Sequence, residues 1–465
     1  MITNKSTNDE LHIVMFPHFA FGHIAPFIQL SNKLSVHGIR VSFLSSPGNI
    51  PRIQSSLLPH IQIIPVSIPS VDGLPPDLEN TSKMTPAMAE LLTKAVDLMQ
   101  PQIKILLSKL NPHFVFLDFS QHWLPKLSSE LGIKSAWFSV FSAISGAYLT
   151  VPARSANGNI PTVDELLTPP KGFPSTAVTS VKAFQATDFS YIYKSFHDNP
   201  SVFNRLLECV NSCNAVIIKT CNEMEGPYID FMKSQLKKPI LLSGPLVPES
   251  PSGELDEKWE KWLSQFPSKS VIFCSFGSET FLTHDQIHQL SLGLELTGLP
   301  FLLVLNFTSD ETDPQTQLQR ALPEGFMKRV ENRGIIHSGW VQQPLILAHD
   351  SVGCYLNHSG FSSLIEATMN DCQLVMLPFK GDQFLNSKLL AMELKAGVEV
   401  NRRNEDGYFG KEDINEAVRK VMVDVEKDTC KAIRENHSKW RDFLLNEDIQ
   451  NKFIADLAEE LKALV

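Results

Sequence analysis

The chain is predicted to be an α/β protein made of two doubly wound domains with parallel sheets. Three observations predict it. Short apolar runs alternate with amphipathic segments through the first half, a stretch dense in proline, glycine and serine follows, and a second alternating series fills the rest. Strand alternating with helix is the pattern of parallel, helix-covered sheets. At 465 residues, each half is long enough to close its own core.

The elements follow in order. His12–Phe16, Val41–Leu44, Ile61–Ile64, Phe114–Leu117 and Ala215–Ile218 are short apolar runs and read as buried strands. Gln62 interrupts the third of these and Pro65 stops it. Between the first two, Ile24, Phe27, Ile28 and Leu34 fall at helical spacing, and Gly38 ends that helix. Residues 151–175 carry Pro152, Pro161, Pro169, Pro170 and Pro174. A loop this long reads as a wall or lid beside a bound acceptor, or as a plain surface loop. Residues 244–256 open with Gly-Pro-Leu-Val-Pro-Glu-Ser-Pro-Ser-Gly, a semi-rigid linker between a domain of residues 1–243 and one of 257–440. The second series is Val271–Ser275, Phe301–Leu305, Val352–Leu356 and Leu374–Leu377. Thr283 and Gln286 form a capping-box signature for a helix through Ile287, Leu290 and Leu294, stopped at Gly298-Leu299-Pro300. Asn451–Leu464 reads as a closing helix.

Bulk properties exclude several classes. Composition is that of a water-soluble globular protein, 43% hydrophobic and 20% charged. A net charge of −10 disfavours nucleic acid as a partner, because phosphate binding needs a basic surface. The polar start Met1–Glu10 has no apolar core of a secretory signal, and no run approaches a membrane span. Seven cysteines, none before Cys209 and none paired as Cys-x-x-Cys, imply free thiols and a cytoplasmic location.

The chemistry concentrates between Trp340 and Gln383. An aromatic plate at Trp340 precedes an apolar strand that ends in His358, Ser359, Gly360, Ser362 and Ser363. Glu366 lies one turn into the helix that follows, and a second apolar strand ends at Asp382-Gln383. Strand, glycine-bearing elbow and helix start is how backbone N–H groups and a helix dipole receive a diphosphate. Glu366 suits ribose hydroxyls, and Asp382 with Gln383 could grip a sugar. Ser275-Phe276-Gly277-Ser278 is a second elbow of the same kind.

This segment resembles, without a gap, the donor-binding box of plant family-1 UDP-glycosyltransferases. Residues 15–27 (M-F-P-H-F-A-F-G-H-I-A-P-F), 242–249, 274–282 and 396–414 fit the same family. These later segments, with G-F-S-S and P-F-K-G-D-Q-F-L-N-S-K-L, look most like the branch-forming subgroup, which adds a second sugar to an existing glycoside and includes flavonoid 3-O-glucoside rhamnosyltransferases. The resemblance implies the GT-B fold, with two facing domains, an acceptor-binding first half, and a C-terminal helix (441–465) packing back onto it. It implies UDP-sugar as co-substrate, rhamnose favoured, with UDP-glucose, UDP-galactose and UDP-xylose open. A monomer is expected. Ser359, Phe361 and Ser362 depart from the family's common Cys, Trp and Asn, and Gln342 stands where many relatives carry Pro or Ala.

Roles follow from the same likeness. His23 opens the first helix at the sheet edge, where a helix N-terminus keeps imidazole neutral and able to accept a proton. With the family's G-H-x-x-P match it is the expected base. Asp118, closing the strand Phe-Val-Phe-Leu, is expected to fix its tautomer. Its blander role is to cap a loop. Ser278, His358 and Ser363 are expected to donate to phosphate, with Gly360 and Ser362 in the same elbow. Trp340 would stack on uracil, with Gln343 or the Val341 backbone reading its edge. His18, Phe19 and His122 are placed on the acceptor side. No Asp-x-Asp occurs, so no metal is expected, and donors and dipoles would meet the charge of the leaving group. The single glycine of P-H-F-A-F-G-H-I argues against a nicotinamide enzyme, which needs G-x-G-x-x-G, and G-F-S-S-L is not the G-x-S-x-G of a serine hydrolase. A catalytically silent UDP-sugar binder is the remaining rival, and the intact His23 and Asp118 argue against it.

Overall fold

The structure, a computed structural model, describes residues 10–155, 158–251, 253–307, 314–424 and 426–465. The polar leader Met1–Asp9 and Ser252 of the expected linker lie outside the described residues. Two compact units emerge. One is drawn from Met1–Ala156, Ile192–Leu246 and Asp448–Val465, the other from Asn157–Tyr191 and Val247–Glu447.

The first unit is built on seven parallel strands. These are β1 (His12–Phe16), β2 (Arg40–Ser45), β3 (Gln62–Pro65), β4 (Phe114–Leu117), β5 (Lys134–Ser139), β6 (Ala215–Ile218) and β7 (Ile240–Leu242), in the order β3-β2-β1-β4-β5-β6-β7. Every residue of β1 and β4 is buried, as expected where helices cover both faces of a parallel sheet. The core joins Ile13, Met15, Phe27, Phe43, Phe116 and Phe138 to Ile454, Leu457 and Leu461 of the closing helix Glu447–Leu464. The return of the C-terminal helix to the first unit therefore rests on ordinary apolar packing.

The second unit has six parallel strands. They are β8 (Val271–Ser275), β9 (Phe301–Leu305), β10 (Gly334–Ser338), β11 (Val352–Asn357), β12 (Gln373–Met376) and β13 (Gly397–Glu399), in the order β10-β9-β8-β11-β12-β13. The helix His284–Thr297 forms its capping box as read, with Thr283 and Gln286 exchanging backbone and side-chain bonds, and it stops at Gly298 in the left-handed region. It packs closely on the helix Lys411–Met422: a methyl on Gly293 would stand 2.5 Å from Ile414 Cβ.

Both sheets reverse strand order once, between β1 and β4 in the first and between β8 and β11 in the second. At such a reversal the loops on either side leave in opposite directions and open a crevice at the C-terminal strand ends, where ligands bind in open α/β sheets. The elements that follow β1 and β4 carry His23 and Asp118. Those that follow β8 and β11 carry Gly277 and His358.

Three boundaries differ from expectation. Residues 157–191, expected in the first domain, group with the second unit, held there by side-chain bonds described below. The stretch 151–175 also contains a 3-10 turn (Pro152–Ser155) and a capped helical turn (Val163–Leu166). The crossing back begins at Asp448, not 441, because the preceding helix Asp428–Leu445 packs in the second unit, its Trp440 indole donating to the Leu394 carbonyl.

Candidate active site

In the first unit, β1 leads into the helix Phe21–Val36, whose N-cap Ala20 contributes no side-chain bond. His23 is the third residue of that helix, and its Nδ1 lies 2.7 Å from Asp118 Oδ2. Asp118 directly follows β4. Its Oδ1 accepts the Phe119 amide at 2.7 Å and its Oδ2 also accepts the His18 amide at 3.3 Å. The carboxylate therefore both caps the next turn and partners the histidine. Gln121 fixes the arrangement, accepting the Asp118 N–H and donating to the Pro17 carbonyl at the end of the neighbouring strand. Burial pushes the Asp118 carboxyl up, but the charge and hydrogen bond of His23, with His18 and the Phe119 amide, outweigh it and leave it below the usual range.

Asp118 is 1% exposed and His23 15%, so the imidazole alone reaches the surface. A carboxylate on Nδ1 selects the tautomer that places the lone pair on Nε2. The pair can therefore take a proton from a bound hydroxyl and stabilise the imidazolium that results. Phe119 and Phe141 flank the ring at centroid distances of 5.6 and 5.3 Å.

The three residues assigned to the acceptor side fare differently. His18 is buried, packs edge-on against His23 at 5.3 Å, and is kept neutral by burial, its pKa lowered to about 3. Phe19 is 0% exposed and packs against Phe16. It is a core residue and cannot line a pocket, which corrects the expectation. His122 takes a bond from Arg205, whose guanidinium also grips Asp97 through both terminal nitrogens. That buried arginine gives His122 a framework partner.

In the second unit, His358 follows β11 and is buried, its Nδ1 without a hydrogen-bond partner. Two glycines make room for the ring. A methyl on Gly277 would lie 2.8 Å from its Cε1, and one on Gly360 2.6 Å from its Nε2. Burial, with help from the charge of Lys380, lowers its pKa to about 4, so the ring is neutral and retains one N–H to donate. Gly360 begins the helix Phe361–Thr368, which has neither a side-chain cap nor an acidic first turn. Ser362 and Ser363 sit in that first turn, half-buried, and Ser278 is exposed beyond Gly277. A helix N-terminus, a neutral histidine and three hydroxyls are a donor set for an anion.

The rest of the box is joined by hydrogen bonds. Gln343 Oε1 accepts from Ser275 and Tyr355, and its Nε2 donates to Glu366 at 2.7 Å. Its amide is therefore oriented from both ends. Val341 is buried, its carbonyl accepting the Gln343 amide. Trp340 is 76% exposed, an open plate. Gln342 ties the box to the linker, accepting the Asp256 amide and donating to the Glu254 carbonyl. After β12, Gln383 Oε1 accepts the amides of Phe379 and Lys380, leaving Nε2 as its other polar group, and Asp382 accepts from Asn386, which also holds the Ser359 carbonyl. The elbow after β11 and the turn after β12 are thus connected through Asn386.

Sequence reasoning missed Phe141, Arg205 and Tyr355. Only the last carried a signal, as the one hydroxyl within an apolar strand. Among the described residues, no group of three or more His, Cys, Asp or Glu is arranged to hold a metal ion, and no helix is long and apolar enough to cross a membrane.

Comparison with known proteins gives a consistent picture. Residues 201–437 match the family model "UDP-glucoronosyl and UDP-glucosyl transferase". The chain is 58% identical over 463 residues to an anthocyanidin-3-O-glucoside rhamnosyltransferase of Petunia hybrida, covering 99% of this chain and 98% of that one. It is 41% identical to a cyanidin 3-O-galactoside 2''-O-xylosyltransferase of Actinidia chinensis var. chinensis, covering 98% of each. Among solved structures, Arabidopsis thaliana UGT89C1 complexed with UDP-L-rhamnose matches at a TM-score of 0.74 and 21% identity, covering 98% of this chain and 100% of the other. At that identity the likeness speaks for the two-sheet fold.

Proposed function

From the premise that this chain belongs to the UDP-glycosyltransferase family, we propose that it transfers rhamnose from UDP-rhamnose to a sugar hydroxyl of a flavonoid or phenylpropanoid glucoside. The observation that carries the chemistry is the 2.7 Å contact between His23 and buried Asp118 at the strand reversal. His23 Nε2 takes the acceptor's proton as the hydroxyl oxygen bonds to the anomeric carbon. The bond from that carbon to the β-phosphate oxygen breaks with its electron pair, UDP leaves, and the anomeric centre inverts. Asp118 holds the imidazolium.

Donor assignments follow the box: Trp340 for the uracil face, the Val341 backbone for its edge, and Glu366 for ribose. The amides of the helix start, with His358, Ser278, Ser362 and Ser363, take the diphosphate, while Asp382 and Gln383 face the sugar. Charge on the leaving group is met by these donors, without a metal ion. In the same reading the enzyme works as a cytosolic monomer, its seven buried thiols free.

The 58% likeness to a glycoside rhamnosyltransferase supports the acceptor class, and the 41% likeness to a xylosyltransferase names the chief alternative donor. A pocket that hydrogen-bonds sugar hydroxyls discriminates against the bare aglycone by up to ~10⁴-fold. The test is a panel of UDP-sugars against flavonols and their 3-O-glucosides. High turnover with UDP-rhamnose on the glucoside, giving a disaccharide-bearing product, is expected. Efficient glucosylation of a bare flavonol hydroxyl, with glycosides ignored, would overturn the reading.

A further inference from the structure

The turn before Asp382 and Gln383 is held in an unusual way. Three successive amides, of Phe379, Lys380 and Gly381, are accepted by side chains. Gln383 takes the first two. The third is taken at 2.6 Å by Asp188 Oδ2, from a residue 193 positions earlier in the sequence. Gly381 has a φ of +54°, in the left-handed region that favours glycine.

Asp188 arrives on the helix Ala183–Phe189, within the segment that leaves the first half of the sequence to join the second unit. This strap is sewn down along its length. Ala177 N–H donates to Glu393, Lys182 Nζ to the Arg402 carbonyl, and Ala183 N–H to Asn404. The Phe184 ring lies 4.5 Å from the Arg402 guanidinium and meets Phe384 edge-on at 5.5 Å. Arg402, buried, donates in turn to the Pro378 carbonyl, where the turn begins. Both ends of the sugar-facing turn therefore hang on groups that the strap touches. Burial holds the Asp188 carboxyl above its usual range, only partly offset by the Gly381 amide, Lys380 and Arg402. A charged acceptor makes the stronger bond to an amide.

We propose that Asp188 is a positioning residue for the sugar end of the donor site: by fixing the Gly381 amide it sets the Asp382–Gln383 pair and, through it, the discrimination among UDP-sugars. The inference rests on the reading of Asp382 and Gln383 as sugar-facing groups. Asp188 acts only through the turn, and UDP itself is held by other groups.

The test uses the full chain with Asp188→Ala, Asp188→Asn and Asp188→Glu. Asparagine keeps an oxygen that can accept the amide, and glutamate keeps the charge but displaces it by a methylene. Titration calorimetry with UDP and with UDP-rhamnose, UDP-glucose and UDP-xylose is combined with hydrogen exchange of residues 378–384. For Asp188→Ala, UDP affinity is expected within twofold of wild type, KM for the preferred UDP-sugar raised about tenfold, the scale of losing one charged acceptor, and exchange in the turn accelerated. Asp188→Asn should restore most of both, and Asp188→Glu should reorder the UDP-sugars. If the alanine variant fails to fold, the other two carry the same comparison. Equal weakening of UDP and UDP-sugars, or a loosened turn with unchanged preference, would overturn the proposal, as would unaltered exchange. A wild-type protein preferring another UDP-sugar would strike the donor assignment alone, since the exchange arm and the split between UDP and UDP-sugar do not depend on which sugar is preferred.

Discussion

Two histidines lie beside the strand reversals of their own sheets, His23 in the helix after β1 and His358 directly after β11, and they are prepared in opposite ways. His23 is given a buried carboxylate at 2.7 Å, which favours imidazolium once a proton arrives. His358 is given two glycines, no partner on Nδ1 and an apolar burial that keeps it neutral. On the proposed mechanism, one junction changes charge during the reaction and the other holds its charge state while donating a hydrogen bond. Beside the reversal of a parallel sheet, a histidine facing a buried aspartate can take up a proton, and one cradled by glycines stays neutral and can donate.

The largest effect should come from the first junction. His23→Ala is expected to lower kcat by about 10²–10⁴-fold, the scale of positioned general-base catalysis, with UDP affinity by calorimetry nearly unchanged. Asp118→Asn should fall in the same direction. Near-normal turnover in His23→Ala would remove the residue from the mechanism and erase the contrast between the junctions.

At the second junction the expected signature is reversed. His358→Ala should weaken UDP by about 10- to 100-fold, corresponding to ~1.5–3 kcal/mol for a hydrogen bond to a charged group. Gly360→Ala should act in the same direction without touching a polar atom, since its methyl would displace the ring. A Gly360→Ala protein binding UDP like wild type would show that the cradle is not needed.

A smaller effect separates the ends of the donor box. Glu366→Ala should weaken UDP and UDP-sugars alike by about tenfold, because a ribose contact ignores the sugar and a neutral-to-charged hydrogen bond is worth ~1.5 kcal/mol. Gln383→Ala should leave UDP binding intact and alter the ranking of UDP-sugars. Loss of UDP binding in Gln383→Ala would merge the two ends.

A last effect is on folding and is read against pH. His358 and His18 have pKa values lowered by burial to about 4 and about 3, against an ordinary 6.5. At these two sites the unfolded protein therefore binds more protons than the folded one below pH 6.5, so their contribution to stability rises with pH. Their contribution is fully present above about pH 7 and is lost as pH falls from 6.5 through the folded values. Urea midpoints at pH 7.5, 6 and 5 should fall in that order, and His358→Gln should flatten part of the trend. Midpoints rising toward pH 5 would contradict a neutral His358.

The central strands were legible because a parallel sheet covered on both faces demands unbroken apolar runs: β1, β4, β8 and β9 match the sequence reading to the residue. The unread strands are those without such runs. In β5, Lys134 and two serines frame the apolar residues, β10 holds a histidine and a glycine, and β7 and β13 have three residues each. The strand-to-helix elbows were legible because glycine, serine and histidine fall there in contiguous motifs. Asp188 was not, since its partner is distant in sequence and the bond is to a backbone amide, which leaves no side-chain pattern to read. Phe19 was misread because it adjoins His18 in a loop, while its ring turns into the core.

The strap has a consequence for inheritance within the family. Neither unit is a continuous piece of sequence, since the backbone passes from one to the other at four places, near 156, 191, 246 and 447. A hybrid enzyme joined at the obvious proline-rich boundary near 246 would take Asp188 from one parent and Gly381 from the other. Recombination that respects the physical units must carry 157–191 along with the C-terminal half. On that account, donor preference travels with two separate stretches of the gene, and exchanging only the second should transmit it incompletely.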